Sequence, residues 1–307
     1  MRLRTIAVVL LALALVGAAL FWVLTIPTLA VTGPLPARTP DLANGETMFN
    51  IGGCSSCHAT PKQDDHKRLG GGLALVTPFG TFKVPNISSD PRHGLGAWTE
   101  EQFANAMLRG VGRRGEHLYP SFPYTSYQRM KLDDVRDLYA FLKTLPAETT
   151  PSERHELPFP FNVRRGLGLW KWLYLDGRPF APDPGKSAQL NRGAYLIEGP
   201  GHCAECHSPR SLLGGIVAAR RFAGGPDAEG KGWVPNITPH ADGLATWSAK
   251  DIAYLLESGF NPGGDSVGSN MADVVVNTGR LTAADREAMA AYLKSLPPLP
   301  GKAPPSK

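Results

Sequence analysis

The chain has 307 residues; 19% are charged, 34 are Gly and 28 are Pro. That length allows about two domains of ordinary size, and so much Gly and Pro points to loop-rich domains, not to long helices or large sheets. The net charge of +5 does not indicate nucleic-acid binding, because the Lys and Arg are scattered and no basic run is interleaved with aromatics.

Residues 1–31 stand apart. "MRLR" precedes a stretch with no charge from Ile6 to Ile26. Those residues form a helix of about 31 Å, the thickness of a bilayer core. Arg2 and Arg4 hold the amino end in the cytoplasm, and Trp22 suits the far interface. The expectation is a single anchor in the cytoplasmic membrane, with everything after it on the periplasmic side. A cleaved signal peptide is the alternative. "TLA" at 28–30 offers a weak cleavage site, but a signal peptide's apolar core is shorter, ~7–15 residues.

A first domain is expected over 38–148. A short helix in "LANGETMFNIGG" leads into "CSSCH", Cys54 to His58. Loops follow, and then "TEEQ" from Thr99 opens a middle helix with a capping-box pattern. Phe103, Met107 and Leu108 continue it at helical spacing. A last helix carries Leu138, Phe141, Leu142 and Leu145 and ends before Pro146. The segment 149–187 is Pro-rich at both ends, with an apolar middle containing Trp170 and Trp172. A floppy linker would not carry such groups, so a short helix packed on one or both domains is expected.

The second domain, 188–300, repeats the first. "CAECH" at 203–207 answers "CSSCH", and "VPNITPHADGLATWS" answers "VPNISSDPRHGLGAWT". "SAKD" from Ser248 opens its middle helix, with Ile252, Leu255 and Leu256 as the stripe. Its last helix has Ala288, Tyr292, Leu293 and Leu296. The offset between copies stays at 149–151 residues, which marks a duplicated domain, not a solenoid. Gly45 and Gly193 either permit close helix crossings or simply begin their helices.

All four cysteines, Cys54, Cys57, Cys203 and Cys206, lie in C-x-x-C-H. That spacing is the c-type haem attachment signature. Two thiols three residues apart reach the two vinyl groups of one porphyrin, and His58 or His207 then faces the iron. Zinc would need a second Cys or His pair nearby. A disulfide would not call for a histidine after each pair. Two covalent haem c groups follow, on an all-α fold of two tandem cytochrome c-like domains. Much of each domain's core is then the haem itself.

The motifs "GCSSCH", "FGTFKVPNIS", "HLYPSFPYTSY", "LPFPFNVR" and "NRGAYLIEGPGHCAECHSPR" resemble the membrane-bound cytochrome c subunits of periplasmic alcohol, aldehyde and related dehydrogenases. The likeness runs from about residue 40 to 298. It implies an electron-transfer subunit with no substrate chemistry of its own. Electrons come from a catalytic dehydrogenase subunit and pass to quinone or to a downstream cytochrome or oxidase. Members of that family often carry three haems; only two motifs are present here.

The second axial ligand of a c-type haem is often Met. Met271, in "SNMADVV" before the last helix, is the candidate in copy 2, and Met289 reads as core. The matching position in copy 1 is Phe122, which cannot ligate. His117, five residues earlier, is one possible substitute and gives a bis-His haem of lower potential. Met130 is another. A coordination site open to water or a small molecule is the third. The open site would allow a haem enzyme, peroxidase-like or sulfur-oxidising. Trp98 and Trp247 are expected to pack on the haem edge or bond a propionate, and Arg210 to meet a propionate or solvent. His66, His93, His155, His202 and His240 lie in polar loops and suggest no role.

Overall fold

A computed structural model describes residues 2–227 and 232–301, and the chain is mostly helical. Helix α1 (Arg2–Leu24) has none of its residues buried in the protein. It is long and apolar enough to cross a membrane. It ends on a fixed point. Thr25 is fully buried, its hydroxyl accepts from Arg165 Nε at 2.8 Å, and its carbonyl meets His117 Nε2 at 2.8 Å.

The first unit holds α2 (Leu42–Ile51), α3 (Cys54–His58), α4 (Glu100–Arg109), α5 (Tyr124–Tyr127) and α6 (Leu132–Thr144). Local chemistry explains where the helices begin. Asp41 accepts from the Asn44 amide to cap α2. Thr99 and Gln102 close a capping box at the start of α4, which satisfies two of the four orphan amides. A hairpin, β1 (Ala74–Thr77) with β2 (Gly80–Lys83), lies between α3 and α4; Ala74 pairs with Lys83 and Thr77 with Gly80. After the linker helix α7 (Leu167–Tyr174) comes the second unit: α8 (Ala188–Glu198), α9 (Ala249–Ser258), α10 (Asn270–Thr278) and α11 (Ala283–Ser295). A two-residue pairing of β3 (Gly225–Pro226) with β4 (Trp233–Val234) replaces the longer hairpin. Ser248 and Asp251 close the second capping box.

In each unit the first helix crosses the last at a glycine. A Cβ on Gly45 would lie 2.3 Å from the Asp137 carbonyl oxygen, and one on Gly193 would lie 1.9 Å from that of Ala288. The glycines therefore do more than start helices: backbone touches backbone there. Ion pairs flank both crossings. Asp137 accepts from Arg38 at 2.6 Å and from Asn44 at 2.9 Å, and Arg192 forks onto Asp285 at 2.8 and 2.9 Å. The expected apolar stripes face inward. Phe103, Met107, Leu138, Phe141, Leu142 and Leu145 are buried, as are Ile252, Leu256, Ala288, Met289, Tyr292 and Leu293.

Helix α7 is packed, as its apolar middle requires. Gly168 abuts Thr25. Lys171 Nζ donates to the carbonyls of Arg109 and Gly110, each at 2.7 Å, at the end of α4. Trp170 Nε1 donates to the Leu213 carbonyl at 2.8 Å. One short helix thus joins the foot of α1 and both haem units.

Replacing Gly193 with Ala gains about 1 kcal/mol of helix propensity. It also forces α8 off α11, at about 1–3 kcal/mol or more for overpacking. The expected net result is a lower urea midpoint for the holoprotein; an unchanged or raised midpoint counts against the backbone contact. Burial, with Arg109 alongside, pushes Lys171 down to about 7 from 10.5. Between those values the unfolded chain holds the extra proton, so stability should rise with pH from about 7 to 10.5 and be flat below. Urea titrations across that range should show the rise, and Lys171→Met should remove its share.

Candidate haem sites

The attachment segment of copy 1 is built from one short helix. Gly53 enters it in the left-handed region, φ 59°, and Cys54–His58 make a single turn. This sets the two thiols and His58 around one space. Nδ1 of His58 bonds the carbonyl oxygen of Pro85 at 2.8 Å. A carbonyl only accepts, so Nδ1 carries the proton and Nε2 keeps its lone pair. That is the second-shell arrangement of a metal-bound imidazole. His58 is partly exposed, yet enough protein surrounds it that desolvation pushes it down to about 4. It is therefore neutral at neutral pH, the ligating form.

Copy 2 repeats the arrangement. His207 Nδ1 bonds the Pro235 carbonyl at 2.8 Å, and burial pushes its pKa down too. The turn is tighter, a 3-10 turn over Cys203–Glu205. Burial pushes the Cys54 and Cys203 thiols up to about 12. They are thiols, not thiolates, at neutral pH. The four cysteines are unpaired with one another, and no cluster of three or more His, Cys, Asp or Glu suited to a metal occurs among the described residues. This donor set fits a haem c in each copy: two thiols and one oriented neutral imidazole.

The repeated "VPNI" now has a physical reason that spacing alone did not give. Its proline carbonyl orients the histidine. Its asparagine pins the loop: Asn86 Nδ2 donates to the carbonyls of Glu148 and Thr150, and Asn236 Nδ2 to that of Leu299.

Matched bridges close the loops expected to carry the second ligands: Val111 with His117, and Phe260 with Ser266. Met271 sits in the first turn of α10 and packs partly buried against the core, so its segment is helical where a loop was expected. Phe122 lies against Tyr127 at 5.4 Å between ring centroids. His117 is buried, but its Nε2 is engaged by Thr25 and its Nδ1 has no partner. Here it serves the foot of α1. Met130 is likewise fully buried in the core. Facing a carbonyl, Nε2 of His117 carries the proton, so Nδ1 keeps the lone pair, while Met130 is held in the core. Trp98 and Trp247 pack partly buried against the core. Arg210 is exposed to solvent and also pairs with Glu205 at 2.8 Å.

The cytochrome c family model matches residues 42–146 and again 191–297. The chain belongs to the cytochrome c family. A diheme cytochrome c-type protein of Cereibacter sphaeroides is 48% identical over 283 residues, covering 92% of this chain and 94% of that one. The cytochrome c subunit of an alcohol dehydrogenase (quinone) of Gluconacetobacter polyoxogenes is 35% identical over 88% of this chain, and the fructose dehydrogenase cytochrome subunit of Gluconobacter japonicus is 34% identical over 86%. The chain spans 60% and 54% of those two subunits. Two family domains and a diheme relative agree with two covalent haems.

The cytochrome's two attachment segments meet across one seam. Asn277 of α10 donates to Ser56 at 2.8 Å and accepts from Ser55 at 3.3 Å. Reciprocally, Glu205 accepts from Thr125 at 2.7 Å and Ser126 at 2.8 Å, both on α5. Each C-x-x-C thus docks on the ligand-side helix of the other domain. Burial would raise Glu205, but Arg210 and the two hydroxyls outweigh it and hold it low. Cys57 is pushed up by burial and then by Cys206 of the other domain. His202 is the residue sequence reasoning passed over. It occupies the left-handed position, φ 40°, that glycine holds in copy 1. Its Nε2 meets the Gly52 carbonyl at 3.2 Å and its ring stands edge-on to Tyr127. The left-handed non-glycine was its only signal, and that requires coordinates.

Asn277→Ala strands two serine hydroxyls at the seam, at a cost of about 1–3 kcal/mol. Urea unfolding followed at the haem absorbance should show a lowered midpoint, with the two domains separating; coincident, unshifted transitions would contradict the seam.

Proposed function

We propose that this cytochrome is the electron-carrying subunit of a periplasmic dehydrogenase and delivers electrons to quinone or to the downstream respiratory chain. Bound haem c supplies one-electron storage at its iron. The polypeptide supplies attachment (Cys54, Cys57, Cys203, Cys206), the oriented ligands His58 and His207, and a seam holding both segments at fixed separation. The shared seam is the observation that carries the reading: it suits a relay better than two independent haem proteins. The names of the relatives support a dehydrogenase partner, and none supports a haem enzyme. The chain then has no substrate chemistry of its own, and the haem domains, 38–148 and 188–300, lie on the periplasmic side.

The proposal includes α1 as a retained membrane anchor. Thr25 is buried, and Asn105 holds the amides of Ala30 and Val31 at 2.8 and 3.0 Å. Cleavage after Ala30 would strip Thr25 from His117 and Arg165, which favours retention. Met271 is proposed as the sixth ligand in domain 2. Domain 1, with Phe122 at the matching place, lacks that methionine and should have the lower potential; to serve there through Nε2, His117 would have to release Thr25.

Two measurements test this. Full-length holoprotein in detergent should be reduced, at its visible haem bands, by the neighbouring catalytic subunit plus that subunit's substrate; failure with every co-encoded dehydrogenase rejects the role. In a redox titration Met271→Leu should lower the higher of two potentials and leave the lower nearly unchanged. A shift in the lower one alone would reassign the ligand.

A further inference from the structure

Helix α7 presents two faces. Gly168 and Lys171 face Thr25 and the end of α4. Trp170 and Tyr174, one turn apart, face the 211–215 turn of domain 2. The remaining stripe at i, i+3 and i+4, Leu169, Trp172 and Leu173, faces outward, with Trp172 71% and Leu173 65% exposed. The turn bonded to Trp170 adds Leu212, 98% exposed, and Leu213. Such a contiguous apolar surface is unusual on a water-soluble face.

Its place in the chain says what covers it. Trp172 lies one turn beyond Gly168, the residue on which the foot of α1 rests. Arg165, one turn before Gly168, lies over Trp22 at 4.1 Å from the ring centroid and donates to the Trp22 carbonyl. Trp22 is at the level where a spanning helix leaves the hydrocarbon. The arginine between them is at headgroup depth, where a guanidinium meets phosphates. A Trp- and Leu-bearing stripe beside a spanning helix matches an interfacial segment.

We infer that α7 and the 211–215 turn lie in the interfacial layer of the periplasmic leaflet, making the linker a second membrane contact that fixes the tilt of the haem domains. This rests on α1 being a membrane anchor. The partner is the lipid headgroup and upper acyl region, not the dehydrogenase.

The test uses the full holoprotein in phosphatidylethanolamine–phosphatidylglycerol liposomes. The four native cysteines are consumed by haem, so an introduced cysteine is the only free thiol. Trp172→Cys and Leu212→Cys are each treated with a charged, impermeant maleimide, with Lys250→Cys as the aqueous reference and Leu13→Cys as the anchor reference. Residue 212 is so exposed that its substitution should not disturb folding. Both patch thiols should react roughly an order of magnitude more slowly than Lys250→Cys with no other protein present. If they react as fast as Lys250→Cys while Leu13→Cys stays unreactive, this inference fails and the anchor reading survives, even if adding the catalytic subunit then protects them. If Leu13→Cys itself reacts at the aqueous rate, the anchor reading fails and this inference with it.

Discussion

Backbone contact at two glycines is the constraint on which the rest depends. Where α2 meets α6 and α8 meets α11, no side chain separates the helices. Only this approach lets helices of 10–13 residues enclose one space apiece. The C-x-x-C-H segment follows directly on the crossing helix, so its thiols and imidazole are aimed by the crossing. Domains this small bury too little apolar surface alone, and a covalent ring that fills the space completes the core.

Orientation of the iron ligand is a separate matter, decided by loops. The carbonyls of Pro85 and Pro235 choose the tautomer of His58 and His207. The asparagines after them tie the loops to the chain beyond the last helix. Both copies keep this device, although their strands differ in length. On the ligand side they diverge: α10 carries Met271 within a nine-residue helix, while α5 is a four-residue turn preceded by Phe122. The same bridge that frames the loop places Ser266 in one copy and His117 in the other. The larger residue has become the socket for the foot of α1.

The seam and the foot of α1 make one body of parts that the repeat suggests are independent. Cross-domain bonds run from each attachment segment to the other domain's ligand-side helix. Tyr195 adds to this by accepting from the Lys131 amide at 3.2 Å. Left-handed backbone at His202, which costs a non-glycine residue of order 1–3 kcal/mol, persists there because the imidazole reaches Gly52 and Tyr127. Glu205 is ionised within protein because three donors surround it.

The covalent chemistry was legible in the sequence because its rules are local. C-x-x-C-H needs thiols at fixed spacing, a capping box needs Thr99 with Gln102, and a long apolar helix needs a run without charge. Each is a relation within a few residues, and the duplication stated it twice. The second role of Gly45 and Gly193, the tautomer-setting prolines, the seam residues Asn277, Glu205 and His202, and the capture of His117 by Thr25 were not legible. These are contacts between residues 27 to 222 positions apart, and side-chain type does not say which distant group will be near. Tertiary structure alone decided them, because only the packed helices bring those atoms within hydrogen-bond reach.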